Sequence, residues 1–166
     1  MKEVIAKSTD SKTFTLTADG KDIGRLKYKN WFSFKAQVEL ADYSTVDIVT
    51  VGFWGTTVEM KRDDKVLLRF QMNWKGNIII NNYFEGEKEF IFKHQGLLKS
   101  NYVLMDKNEN QLLIVEPDFK WAGLKYDYTI ESEQIFKNKR DNDLMLFAIV
   151  HCTNYYMSMV SSAAAG

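Results

Sequence analysis

The sequence predicts a mainly β fold that ends in a single buried helix. Much of the chain alternates between apolar and polar residues with a period of two, which is typical of strands with one buried face. The chain contains one proline, Pro117, so its strands keep the amide donors that a hydrogen-bonded ladder needs. Residues 144–160, in contrast, form an apolar run without charge, glycine or proline, which favours a helix.

Three segments carry the strand signal most clearly. Residues 32–40, 66–74 and 124–130 place an apolar side chain at every second position. Because successive side chains of a strand point to opposite faces, each segment is expected to turn one apolar row inward. The expected inward rows are Phe32, Phe34, Ala36, Val38 and Leu40; Val66, Leu68, Phe70, Met72 and Trp74; and Leu124, Tyr126, Tyr128 and Ile130.

Turn residues separate the strands at intervals of roughly ten residues or a small multiple of that, a spacing typical of an antiparallel barrel or sandwich. No linker or low-complexity tract divides the chain. We therefore predict one domain over residues 1–166, with strands within 2–138 and a core helix over 141–163. The expected hairpin connections are Asp19-Gly20, Asp63-Asp64, Lys75-Gly76-Asn77, Glu85-Gly86 and 106–110.

Residues 14–31 and 102–121 resemble each other. Each segment reads as an apolar strand, a polar turn with an acidic residue, a second apolar strand, and then basic residues and a tryptophan. Two related halves of a pseudo-symmetric barrel would give this pattern, and so would two ordinary hairpins.

The apolar C-terminal helix has two alternative locations. As a helix, residues 141–160 would span roughly 30 Å, which matches both a bilayer core and the long axis of a small barrel. Asp141, Asn142 and Asp143 are expected to cap its N-terminus.

The polar residues of this helix favour the barrel interior. A membrane anchor gains nothing from polar side chains in its middle and C-terminal half, whereas strands and backbone can satisfy them inside a protein. The basic residues that precede the helix match the flank of a tail anchor, so that alternative stays open. The polar residues are His151, Thr153, Asn154 and Ser158, and the basic ones are Lys137, Lys139 and Arg140.

Charge and cysteine usage predict the compartment and exclude one class of partner. The 22 basic and 22 acidic residues give zero net charge, so no global field attracts nucleic acid. The single cysteine, Cys152, cannot form an intramolecular disulfide, which fits a reducing compartment. The first ten residues lack the apolar core of a signal peptide. We expect a cytoplasmic protein, or one peripheral to the cytoplasmic face of a membrane.

One segment begins like a calcium-binding loop. Asp106, Asn108 and Asn110 have the EF-hand spacing, but Gln111 replaces the glycine of the sixth position and Pro117 the glutamate of the twelfth. The sharp turn and the bidentate ligand are both missing, so a hairpin turn is expected here.

No other pattern predicts catalysis, a metal or a cofactor. His94 and His151 are the two histidines, and a zinc site would need both together with Cys152 or carboxylates. His151 and Cys152 are adjacent on a helix, about 100° apart, so they do not share a face well. Burial of Cys152 would raise its pKa, which is the opposite of activation. The chain has no nucleophile elbow and no phosphate-binding loop.

Residues 90–132, followed by 143–160, resemble the tubby C-terminal-like superfamily, which includes tubby proteins, phospholipid scramblases and plant LURP-one-related proteins. The shared pattern is strand, short basic-aromatic crossing, strand, Asp-containing turn, strand, basic residue and tryptophan, strand, and closing helix. The resemblance implies a closed antiparallel barrel of about twelve strands with the helix as its core. Some tubby proteins bind phosphoinositide headgroups through basic residues, but no residue of such a site maps onto this chain.

These observations predict a binding or scaffold module rather than an enzyme. Its expected partner is an anionic lipid headgroup or a protein, and no cofactor is expected. Basic residues beside aromatic ones are the candidate contacts, because bilayer interfaces favour this combination. The alternative is a tail-anchored membrane protein with a cytoplasmic β-domain. The candidate contact residues are Lys27 and Lys29, together with Lys137, Lys139 and Arg140.

Overall fold

The computed structural model describes residues 2–10, 12–30, 34–52, 56–96, 100–121 and 125–164, with side chains as far as Met159. These residues form twelve antiparallel strands and one helix. The strands are β1 (Lys2–Ser8), β2 (Thr13–Ala18), β3 (Lys21–Asn30), β4 (Lys35–Leu40), β5 (Thr45–Val51), β6 (Thr57–Arg62), β7 (Lys65–Met72), β8 (Ile78–Asn82), β9 (Lys88–Gln95), β10 (Asn101–Asp106), β11 (Gln111–Lys120) and β12 (Lys125–Ser132), and the helix is α1 (Lys139–Ala164).

The strands close into an up-and-down barrel. Each strand pairs with the next one along the chain, and β1 pairs with β12, from Lys2 opposite Ser132 to Ala6 opposite Tyr128. Closure gives every described strand a partner on both sides, which removes the exposed edges of an open sheet. The predicted closed twelve-strand barrel is confirmed.

The predicted strand pattern is confirmed except at Val66 and Trp74. Because the register shifts between Met60 and Lys61, Val66 pairs with Lys61 and does not pack against the core, whereas Leu67, expected to face outward, is buried. Trp74, expected to face inward, is 90 % exposed. The chain leaves the ladder at Asn73, whose side-chain oxygen accepts the backbone N–H groups of Lys75 and Asn77 and so forms a turn. Phe32 and Leu124 lie outside the described residues. The other members are buried (Ala36, Val38, Leu40, Leu68, Phe70, Tyr128, Ile130) or half-buried against the core (Phe34, Met72, Tyr126).

The helix α1 lies inside the barrel. Residues 143–154 are all buried, and because twelve residues make more than three helical turns, every face of the helix is covered. The predicted core helix is thus confirmed. The tail-anchor alternative would place this same segment in a bilayer. Within the part of the chain that the structure describes, no helix has the length and hydropathy needed to cross a membrane.

The helix begins two residues earlier than expected, at Lys139, and its cap is Asn138. The side-chain oxygen of Asn138 accepts the backbone N–H of Arg140 at 2.9 Å. Asn142, predicted to be a cap, instead accepts the backbone N–H groups of two residues in the connection 133–138. The sequence predicted strands as far as residue 138, but the last strand ends at Ser132, so residues 133–138 form a connection to the helix.

Contacts at the two termini of α1 show that it crosses the barrel from end to end. Near its start, the Arg140 guanidinium donates a hydrogen bond to the Ser44 hydroxyl at 2.6 Å, in the β4–β5 connection. Near its other end, the Tyr156 hydroxyl donates to the Gly76 carbonyl at 2.5 Å, in the β7–β8 connection. The sixteen residue-to-residue steps from Arg140 to Tyr156 cover about 24 Å of helix.

Hydrogen bonds tie the polar residues of the buried helix to the barrel wall. Asn154 accepts a hydrogen bond from the Tyr128 hydroxyl at 2.6 Å and donates one to the Tyr28 hydroxyl at 2.9 Å. The Tyr28 hydroxyl also lies 3.1 Å from Nδ1 of His151. Thr153 donates to the carbonyl one turn earlier, at 2.8 Å. Strands and helix backbone therefore satisfy Asn154, Thr153 and Nδ1 of His151, as the sequence predicted, whereas Nε2 of His151 is buried without a hydrogen-bond partner among the described residues.

The two segments that resemble each other in sequence form equivalent hairpins. Residues 14–31 contain β2 and β3, and residues 102–121 contain β10 and β11. The register shifts between Leu16 and Thr17 in the first hairpin, and between Leu104 and Met105 in the second, which are matching positions of the two segments. The β6–β7 hairpin has the same shift between Met60 and Lys61, so the bulge does not distinguish the pseudo-symmetric alternative from ordinary hairpins.

Burial of His151 makes the stability of the barrel depend on pH. Burial lowers the pKa of His151 from 6.5 to about 4. Between these values the unfolded chain binds a proton that the folded protein does not, so the free energy of unfolding decreases as the pH falls through this window. The contribution of His151 over the whole window is about 3 kcal/mol.

We expect His151→Asn to weaken this pH dependence, because asparagine can replace the Nδ1 contact but does not titrate. Urea unfolding between neutral pH and about pH 4.5 measures the effect. The variant should lose less stability than the wild type as the pH falls. His94→Asn is the matched control, since His94 is exposed, and it should keep the wild-type slope. An unchanged slope in His151→Asn would contradict the prediction.

Candidate functional site

The six connections at the end of the barrel where α1 finishes contain all four tryptophans of the chain. We call this end the tryptophan end, and its connections are 9–12, 31–34, 52–56, 73–77, 96–100 and 121–124. By sequence they include one acidic residue, Asp10. Trp31 and Trp54 lie outside the described residues, so Trp74 and Trp121 define the surface here.

The opposite end, where α1 begins, has the reverse composition. We call it the entry end, and its connections are 19–20, 41–44, 63–64, 83–87, 107–110 and 133–138. They contain no tryptophan and two lysines. They also contain eight acidic residues, namely Asp19, Asp42, Asp63, Asp64, Glu85, Glu87, Glu109 and Glu133. The connections at the two ends of the barrel therefore differ in their acidic residues and in their tryptophans.

The two described tryptophans project into solvent. The Trp74 side chain is 90 % exposed and the Trp121 side chain is 83 % exposed. The Lys75 ammonium lies 5.2 Å from the centre of the Trp74 ring, and Phe119 packs edge-on against Trp121 at 5.0 Å. A single exposed apolar side chain is ordinary. Two exposed tryptophans on connections of one end make this end the candidate interaction surface.

Lysines also lie at the tryptophan end. Lys12, Lys35 and Lys75 are exposed at this end and form no ion pair within the part of the chain described. Two further lysines are partly neutralised: Lys120 pairs with Asp118, and Lys29 lies 3.5 Å from Asp47. The tryptophan end thus combines exposed indole rings with uncompensated positive charge.

A groove of about 570 Å³ opens at the same end, close to Trp121. Its walls include Tyr102 and Phe119 of the barrel, and Tyr156 and Met157 of the helix. This volume is typical of small-molecule sites, which are mostly apolar with a few polar groups.

The structure separates the basic residues that the sequence singled out. Lys27 lies on the outer wall of β3, where it forms a 2.7 Å ion pair with Glu39 and holds the pKa of that carboxyl below its usual value. Lys29 lies further along β3, at the tryptophan end. The two lysines therefore lie on one strand but pair with different carboxylates, Glu39 and Asp47.

The other three predicted residues lie at the entry end, about 24 Å away along the helix. Lys137 and Lys139 line a groove of about 560 Å³ together with Lys2. Lys139 is bound to Asp143 at 2.5 Å, and Arg140 points toward the β4–β5 connection. The five predicted residues therefore do not form one site.

Sequence reasoning missed Trp74 and Trp121 as surface residues. It placed Trp74 at the end of an inward row and used Trp121 merely as the last residue of a repeated segment. The signal was present, because consecutive connections of an up-and-down barrel alternate between its ends. Every second connection could therefore have been compared, which would have grouped the tryptophans.

The histidine, cysteine and carboxylate side chains of the described residues can be compared with the metal-like patterns of the sequence. In the described part of the chain, no three histidine, cysteine, aspartate or glutamate residues form a group that could hold a metal ion. Burial raises the pKa of Cys152, as the sequence predicted. Asp106 accepts hydrogen bonds from the backbone of Asn108 and from the backbone and side chain of Asn110, so the calcium-like segment is a hairpin turn.

Known proteins do not identify this surface. Comparison of the chain with protein-family models, with curated proteins and with solved structures finds no match in any of the three. A function for this chain has to be argued from the chemistry of its own residues.

Proposed function

We propose that the protein is a non-enzymatic module that binds the surface of anionic membranes through its tryptophan end. The observation that carries this proposal is the grouping of exposed tryptophans and unpaired lysines at one end of the barrel, with eight acidic residues in the connections of the other. Indole rings prefer the headgroup region of a bilayer, and lysines are attracted to anionic lipids. The two residue types therefore favour the same partner.

The charge distribution also favours one orientation on the membrane. Each lysine near an anionic surface contributes about 1 kcal/mol, whereas carboxylates are repelled by it. With its acidic connections at the entry end, the barrel would approach with the tryptophan end first. The cytoplasmic leaflet carries such lipids, so we infer a cytoplasmic protein that is peripheral to this membrane.

We infer that the protein is tubby-like, because its twelve-strand barrel around a C-terminal helix matches what that resemblance implies. Proteins of one fold perform different functions, so the fold by itself does not supply a ligand. The membrane proposal therefore depends on the tryptophans and lysines, and it would stand without the tubby-like assignment.

Removal of the two described tryptophans should weaken membrane binding. We expect Trp74→Ser/Trp121→Ser to float less with vesicles of phosphatidylcholine and phosphatidylglycerol than the wild type does, because the indole rings no longer enter the interface. Both side chains are exposed, so the fold should be unaffected. Tyr43→Ser is the matched control, since Tyr43 is 84 % exposed at the entry end. An equal loss of flotation in the tryptophan variant and in Tyr43→Ser would argue against binding through the tryptophan end.

Removal of two unpaired lysines should lower the affinity for anionic vesicles and leave binding to neutral ones unchanged. We expect Lys35→Gln/Lys75→Gln to cost about 2 kcal/mol, or roughly 30-fold in affinity, at low salt. The difference from the wild type should shrink as salt is added. The control variant is Lys107→Gln/Lys137→Gln, which removes the same charge from the entry end.

Two outcomes would reject the membrane proposal. The first is wild-type protein that floats equally with neutral and anionic vesicles, or with neither. The second is an equal effect of the two double lysine variants, which would indicate a response to net charge alone. If vesicles do not bind but the tryptophan variants abolish capture of another protein, the tryptophan end is a protein-binding surface instead.

A further inference from the structure

The groove at the tryptophan end exists because two strands project beyond their neighbour. The β10–β11 pairing reaches Tyr102 opposite Val115, whereas β11 and β12 stay paired as far as Lys120 opposite Lys125. The end of the β11–β12 hairpin therefore extends past β10 and leaves a gap in the wall. The helix closes the inner side of this gap with Tyr156 and Met157.

The groove is aromatic on both sides. Phe119 and Tyr126 meet at 5.0 Å on the projecting hairpin, and Tyr102 and Tyr156 stack at 5.4 Å on the opposite side. Aromatic rings carry negative charge on their faces, so a groove lined by them attracts an organic cation more than an anion.

One carboxylate lies in this groove without a cationic partner. Glu116 accepts a hydrogen bond from the Asn101 side chain at 3.3 Å and forms no ion pair within the described residues. Among the described residues that line the groove, none is a lysine or an arginine. The groove thus differs from the surface around it, where lysines predominate. Its charge is complementary to an ammonium group.

We propose that this groove binds the ammonium group of a phospholipid headgroup, as phosphatidylserine carries it. This inference rests on the proposed membrane binding, because it is the position of the groove beside Trp121 that brings it to a lipid headgroup. The lysines bind the anionic surface without regard to lipid type, and Glu116 with the aromatic walls selects an amine-bearing lipid. The protein then recognises both the charge and the chemistry of the membrane.

Vesicles of equal charge separate the two effects. Phosphatidylserine and phosphatidylglycerol each carry one negative charge, and the first alone has an ammonium group. We expect the wild type to prefer phosphatidylserine vesicles by roughly threefold to tenfold. Glu116→Gln should bring this ratio close to one while binding to phosphatidylglycerol is retained. Asp118→Asn removes the same charge from the same strand, outside the groove, and should keep the preference.

The results distinguish failure of the groove from failure of membrane binding. Equal wild-type binding to the two anionic lipids, or a preference that survives in Glu116→Gln, would overturn the groove proposal alone. If the protein binds vesicles of neither anionic lipid, membrane binding is wrong. The groove is then tested with the headgroup glycerophosphoserine against glycerophosphoglycerol. Amide shifts at Asn101 and Glu116 with the first compound alone would support the site, and equal or absent shifts would reject it.

Discussion

The enclosure of α1 by the barrel is the constraint on which the rest of the structure depends. Residues 143–154 have no solvent-facing side, so each of their polar groups needs a partner in the wall or in the helix itself. Tyr28 and Tyr128 meet this need through Asn154, from strands on two parts of the barrel. These hydrogen bonds fix the depth and rotation of the helix, and thereby determine which connections surround each of its termini.

An axial helix in an up-and-down barrel creates two chemically independent ends. Consecutive connections along the chain alternate between the two ends of the barrel, so each connection is separated from the next by the length of a strand. The chain uses this alternation to gather tryptophans at one end and carboxylates at the other. In the proposed function, the barrel wall supplies stability and the tryptophan end carries the binding chemistry. The groove that contains Glu116 lies within that end and, in our proposal, adds selectivity for an ammonium group.

Local patterns predicted the fold well, because strand alternation and an uncharged run are short-range signals. The sequence also predicted that polar residues such as His151 and Asn154 would be satisfied inside. Sequence reasoning failed at Trp74, because the turn formed by Asn73 ends the strand just before it. It also placed the helix cap too late, since Asn138 rather than residues 141–143 caps α1. The candidate site was less predictable. Lys29 and Lys137 looked alike in sequence beside aromatic residues, but the topology places them at opposite ends of the barrel.

Tryptophan emission in the presence of brominated lipids tests the central claim most directly. All four tryptophans belong to connections of one end, so their fluorescence reports whether that end contacts the bilayer. The account predicts that emission shifts to the blue when anionic vesicles are added, and that brominated acyl chains quench it. Protein that binds these vesicles with unshifted and unquenched emission would contradict the account, because another part of the molecule would then face the membrane.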